Sequence, residues 1–250
     1  MHEALLSLGV AIALCVASIG SLLLYPKLHV RHRDEETNLV VRLVANLFVV
    51  MASLAFGLMI NSSKNTFENI DANVHSYATN LILLDQSLRS YGLGGDAGRQ
   101  SLIAYVEEAI RNPIRADNDP LAPDSAQIRL DNLGQTLFAL TAQEPFHQSL
   151  LTEIRAQYNR IVEQRWALAE QSEGVIPSPV IALLIAWLVL IFGSYGYRAP
   201  RNGIVIVMFL GSAALIGLSI YVVLDMDIPF EGIIQISDAP LHRALAEMSR

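Results

Sequence analysis

The side chains best equipped for chemistry in this sequence are carboxylates, and two groups of them invite inspection. Asp117, Asp119 and Asp124 share one loop and could offer oxygens to a hard cation. A Ca²⁺ loop, however, spaces its ligands at alternate positions around an obligatory Gly and closes with a bidentate Glu. Pro120 and Pro123 stand there instead, so a solvated acidic loop is expected and no metal. The second group is Asp225, Asp227 and Glu231, which form an acidic collar directly past a long apolar run, around Pro229-Phe230. The plain reading of that collar is a solvated helix exit followed by an interfacial return.

Other chemistries lack their residues. His29 and His32 lie three apart with no acidic third ligand in helical register, and His75, His147 and His242 are isolated. No His-Glu-x-x-His and no nucleophile elbow occurs, and no carboxylate lies inside an apolar run. Acid–base catalysis in a dry site and an intramembrane proton relay are therefore not expected. Neither an enzyme nor a cofactor is expected. Gly92–Gly98 is Gly-rich, but a phosphate cradle needs a preceding strand and a Gly-Lys-Ser/Thr ending. A helix–helix turn is the expectation there. Cys15 is the only cysteine, so no disulfide or Cys-ligated zinc site can form within one chain.

The elements that would carry these residues are helices. Of the 250 residues 52% are hydrophobic and only 16% charged, with mean hydropathy +0.39. Soluble domains run near 25% charged, so this composition argues for a membrane protein. A net charge of −7 and a pI near 5.3 exclude the basic footprint of a nucleic-acid partner. The apolar residues cluster into four windows long enough to span a bilayer: 4–24, 39–60, 179–197 and 203–224. The first has no basic n-region and too long an apolar core for a signal peptide, so a retained helix is expected. The fold class is all-α: four transmembrane helices with a soluble helical bundle inserted between the second and third spans. The expected organisation is a transmembrane hairpin over 1–60, a soluble block over 61–178, a second hairpin over 179–224 and a tail over 225–250.

One long helix organises the rest. From about Asn38 to Tyr91 no Pro or Gly intervenes except Gly57, and about 54 residues at about 1.5 Å each give a rod near 80 Å. Its second half carries Phe67, Ile70, Val74, Tyr77, Leu81, Leu84 and Leu88 at alternating spacings of three and four. That a/d seam is the pattern by which helices pack along one another, and it is read as an oligomer seam. Helices over about 99–112, 126–142 and 145–172 follow, with a last short helix over 239–248. In the spans the polar residues are neutral, Ser18, Ser21, Asn46, Ser53, Ser212 and Ser219 among them, and interhelical hydrogen bonding is their plain role. The functional alternative lines a narrow pore with Phe48, Met51, Ala52, Ala55, Phe56 and Met59, since hydrophobic constrictions gate ions by dewetting.

Charge sets the sidedness. The two short connectors together with Arg42 hold six Lys/Arg, whereas Lys64 alone stands close to a span on the other side. The positive-inside rule then makes the connectors cytoplasmic and puts both termini and the soluble bundle outside.

The tail carries a resemblance. Leu224, Asp225, Asp227, Pro229, Phe230, Gly232, Ile233, Ser237, Pro240 and Leu241 resemble the signature of a bacterial bestrophin-like membrane protein family, remotely related to bestrophin channels. Two spans, a helical insert, two more spans and this tail match the family's layout over essentially the whole chain. The resemblance implies a homo-oligomer in the bacterial inner membrane. It also implies ion conduction, because bestrophins are pentameric channels whose second helix lines the pore. Bestrophins bind Ca²⁺ at an acidic segment near Pro-Phe-Gly. Here Glu231 separates Phe230 from Gly232 and the dense acidic run is missing, so no metal is expected. Partners are then membrane lipid and further copies, or a larger membrane complex. The alternative is a non-conducting scaffold or accessory subunit whose extracytoplasmic bundle docks a larger assembly.

Overall fold

A computed structural model describes residues 2–27, 35–112, 125–171, 176–197, 199–228, 230 and 232–250, with the backbone alone at His2. His29, His32, Asp117, Asp119, Asp124, Pro229 and Glu231 lie outside the described residues. Eight α-helices occur among those described: α1 (His2–Leu24), α2 (Glu35–Tyr91), α3 (Asp96–Arg111), α4 (Ser125–Phe138), α5 (Pro145–Glu170), α6 (Ser178–Gly196), α7 (Gly203–Asp227) and α8 (Ala239–Met248). Four of them, α1, α2, α6 and α7, are long and apolar enough to cross a membrane, and the chain is a multi-pass membrane protein. Helix α2 begins at Glu35, where two carboxylates meet the positive end of the helix dipole. It then continues without a break through Asn61–Asn65 to Tyr91.

The described chain forms two compact units. The first holds α1, α2 up to Thr66, α6 and α7. Small residues let its backbones approach: a Cβ on Gly196 would run into the Ser18 backbone, and one on Gly217 would sit 3.0 Å from the Ala11 Cβ. At one end of these helices Tyr25 and Tyr197 meet edge to face at 5.0 Å. Arg201, just before α7, donates to the Leu22 and Leu23 carbonyls at 3.4 and 3.3 Å, capping the C-terminus of α1. Three of the span serines bond within their own helices and not between helices. Ser18, Ser53 and Ser219 donate to the carbonyls of Leu14, Val49 and Leu215 in their own helices. A hydroxyl one turn from a backbone carbonyl needs no neighbour to satisfy it.

The second unit holds α2 from Phe67, together with α3, α4, α5 and α8. Asn73 donates to Gln171 at 2.9 Å and Asn80 to Gln164 at 2.8 Å. One number rises as the other falls, so α2 and α5 run antiparallel. The core of this unit corrects the seam expected along α2. Ile70, Val74, Tyr77, Leu81, Leu84 and Leu88 are all buried with Leu102, Tyr105, Leu133, Leu137, Ile154 and Ile161, and Phe67 is half-buried. The stripe is covered by the chain's own helices and is not available to another copy. Its period required burial against helices but could not say whose. Helix α4 also ends earlier than expected, at Phe138, because the chain turns there to let the Thr141 carbonyl accept from the Tyr91 hydroxyl at 2.9 Å.

Candidate functional site

Helix α2 within the first unit has two faces. Ala52 and Met59 are 4% exposed, packed with Leu184, Ile191 and Val223, and Phe48, Ala55 and Phe56 pack against that cluster. These five residues, expected to line a pore, instead hold α2 to α6 and α7. Only Met51 of the expected set lies on the open side. An apolar face on a membrane helix reads the same in sequence whether it meets a neighbouring helix or a path.

The other face has no covering within the chain's described residues. Leu43, Leu47, Val50, Leu54 and Leu58 are 60–66% exposed. Asn46, Ser53, Gly57 and Asn61 are exposed among them. Leu43, Asn46, Val50, Leu54, Gly57 and Asn61 follow one another at spacings of three and four, a single stripe along the helix. Its composition differs from a lipid-facing stripe, since the amide of Asn46 inside the span is costly unless it meets water, another helix or a polar path.

Asp225 and Asp227 form a second arrangement, at the C-terminal turn of α7. Carboxylates there meet the negative end of the helix dipole, and both are buried, 3% and 5% exposed. Neither is the solvated collar expected from sequence. Asp225 Oδ1 accepts from the Tyr221 hydroxyl at 3.0 Å, and Oδ2 accepts from the Ile233 and Ile234 amides at 3.0 and 2.8 Å. The chain closes on this carboxylate at Gly232, whose φ of +93° favours glycine and where a Cβ would collide with it. Asp227 Oδ2 accepts from the Ile176 amide at 3.1 Å, ahead of α6. Its Oδ1 is buried with no hydrogen-bond partner among the described residues. The remaining tail residues divide: Gly232–Ile234 belong to the first unit, and Phe230, Ser237, Pro240 and Leu241 to the second.

A Ca²⁺ ion does not fit this donor set. Asp225 already serves three hydrogen-bond donors, which leaves its oxygens a poor share for a cation needing six to eight ligands. No group of three or more His, Cys, Asp or Glu side chains gathers among the described residues. His75, His147 and His242 each lie near a carboxylate of their own segment, Asp71, Glu144 and Asp238 respectively. What the two aspartates do among the described residues is accept backbone amides from other stretches of the chain.

Sequence reasoning also missed Asp85. It is 2% exposed and bridges Arg89 at 2.7 Å and Arg99 at 2.8 Å. Both guanidiniums in turn donate to the Met248 carbonyl at the end of α8, at 3.1 and 3.0 Å. A charge on the buried seam of α2, one residue past Leu84, was the available signal.

Comparison with known proteins gives a consistent answer. The bestrophin-like domain family matches residues 12–241. A crystal structure of a bacterial bestrophin homologue from Klebsiella pneumoniae superposes with a TM-score of 0.61 at 15% identity, covering 99% of this chain and 96% of that one. A point variant of a homologue from the same organism gives 0.64 at 12% identity, with 96% of each chain covered. A variant described as a membrane protein gives 0.66 at 12% identity, with 95% of each covered. At such identities the likeness is one of fold. No functionally curated protein matches the chain.

Proposed function

This chain belongs to the bestrophin-like family, matched over residues 12–241, and from that premise we propose that several copies assemble in a bacterial inner membrane and conduct ions along the open face of α2. The supporting observation is the stripe Leu43, Asn46, Val50, Leu54, Gly57 and Asn61, which the chain leaves uncovered. Gly57 allows close approach of a second helix, and Asn46 and Asn61 supply polar groups at both ends. Between them Val50 and Leu54 form a hydrophobic constriction of the kind that gates by dewetting. The pore-lining residues of this reading are thus Asn46, Val50, Leu54 and Asn61, with Met51 at the flank.

The soluble helices form a bundle that makes a vestibule on the extracytoplasmic side, with both termini there, in keeping with the basic connectors. Residues 61–178 hold nine Lys/Arg against fifteen Asp/Glu, a balance that concentrates cations near the mouth. No catalytic role is assigned.

Purified protein in planar bilayers is expected to give unitary currents, and Leu54→Ala to raise the unitary conductance by widening the constriction. Currents unaffected by Leu54→Ala would remove that residue from the path. Silence from a folded oligomer would favour the non-conducting scaffold that docks a larger assembly.

A further inference from the structure

The second unit encloses a cavity of about 330 Å³ that neither the family nor the pore accounts for. Val74 and Tyr77 of α2, Ala109 and Ile110 of α3, Arg165 and Leu168 of α5, and Phe230, Gln235–Asp238 and Leu241 of the tail bound it. That volume lies in the range of small-ligand sites, with room for on the order of ten heavy atoms at about 30 Å³ each.

The wall is divided by chemistry. Val74, Leu168, Phe230, Ile236 and Leu241 make an apolar surface. Arg165 is its cation among the described residues, 5% exposed, with its Nε donating to the Gln127 side-chain Oε1 at 3.2 Å. Beside it the Tyr77 hydroxyl is hydrogen-bonded to that of Tyr105. Burial holds the Tyr77 pKa well above its ordinary value, against the opposing pull of Arg165, so the phenol stays neutral. The one carboxylate among the described residues of the wall, Asp238, is 66% exposed and lies 3.3 Å from His242. A cation therefore sits within and the anion at the rim. The first turn of α8 adds no spare amides: Ala239 N–H goes to Ser237 Oγ, and Leu241 and His242 N–H go to the Asp238 carbonyl.

We propose that this cavity is a binding site for a small organic carboxylate with a short apolar body. The carboxylate meets the guanidinium of Arg165, whose planar fork matches it, and the body lies on Leu168, Phe230, Ile236 and Leu241. Binding at this place ties the tail segment from Gln235 to α2 and α5. The proposal is independent of ion conduction.

Benzoate and its neutral analogue benzyl alcohol separate charge recognition from cavity filling. Equilibrium dialysis of radiolabelled benzoate against the full chain in detergent is expected to show saturable uptake, with benzyl alcohol a weak competitor. Arg165→Gln should weaken benzoate about tenfold or more, the loss of one charge-assisted contact. Ile236→Trp fills the cavity with the charge retained, and should abolish uptake while the helical signal and unfolding temperature stay near wild type. Absence of saturable uptake, equal affinity for benzyl alcohol, or uptake that survives Ile236→Trp would each overturn the proposal.

Discussion

Gly232→Val is expected to destabilise the chain by about 3–5 kcal/mol, combining backbone strain with lost charged hydrogen bonds. A β-branched residue at φ +93° is strained by itself. Its Cβ would also have to occupy the place of the Asp225 carboxylate. Pushing that carboxylate aside strands the Ile233 and Ile234 amides and leaves a charge at the wrong end of the α7 dipole. The check is the midpoint of thermal unfolding in detergent, with limited proteolysis reporting the tail. Asp225→Asn keeps the side-chain shape and one oxygen for the Ile233 and Ile234 amides, while its Nδ2 makes the Tyr221 hydroxyl turn from donor to acceptor, so its loss should be smaller. Wild-type stability in Gly232→Val would show that the cradle does not hold this turn.

Asp85→Ala is the second large effect, about 2–4 kcal/mol, because removing the shared partner of two cations leaves both unpaired at the core's edge. Arg89 and Arg99 are partly exposed, at 38% and 25%, which keeps the figure below that of a fully buried pair. The loss should concentrate in α8, since the same guanidiniums hold the Met248 carbonyl while Ala244 and Met248 fill the core. Hydrogen exchange should therefore accelerate at the α8 amides before those of α4. Uniform acceleration through the second unit would mean that Asp85 supports packing generally and does not anchor α8.

What was legible in the sequence was whatever one segment can say about itself. Pro145 opens α5, and α8 runs from Ala239 to Met248 as its pattern predicted. The tail motif identified the family. Questions of partnership were not legible. The stripe from Ile70 to Leu88 requires a cover, but period alone cannot tell the chain's own α3 and α5 from a second copy. Phe48, Ala52 and Met59 were ranked as pore residues because apolar side chains look alike on either face of a span. Asp225 reads as solvated because its amide donors lie eight and nine residues further on, across a turn that exists only once Gly232 adopts positive φ. A carboxylate ending a helix, against the dipole, with a glycine seven residues later, was the clue that a local partner compensates it. The cavity around Arg165 draws on four separate stretches of chain and had no signature in any of them.

With the α2 seam buried inside the chain, the proposed assembly rests on the uncovered stripe from Leu43 to Asn61. The mass of the detergent-solubilised protein, measured with bound detergent subtracted, tests this most directly. One sharp species is expected at an integer multiple of the 27.4 kDa chain, closed by cyclic symmetry. Gly57→Trp, on that stripe, is expected to shift the mass toward the single chain. A homogeneous 27.4 kDa monomer in mild detergent would contradict it.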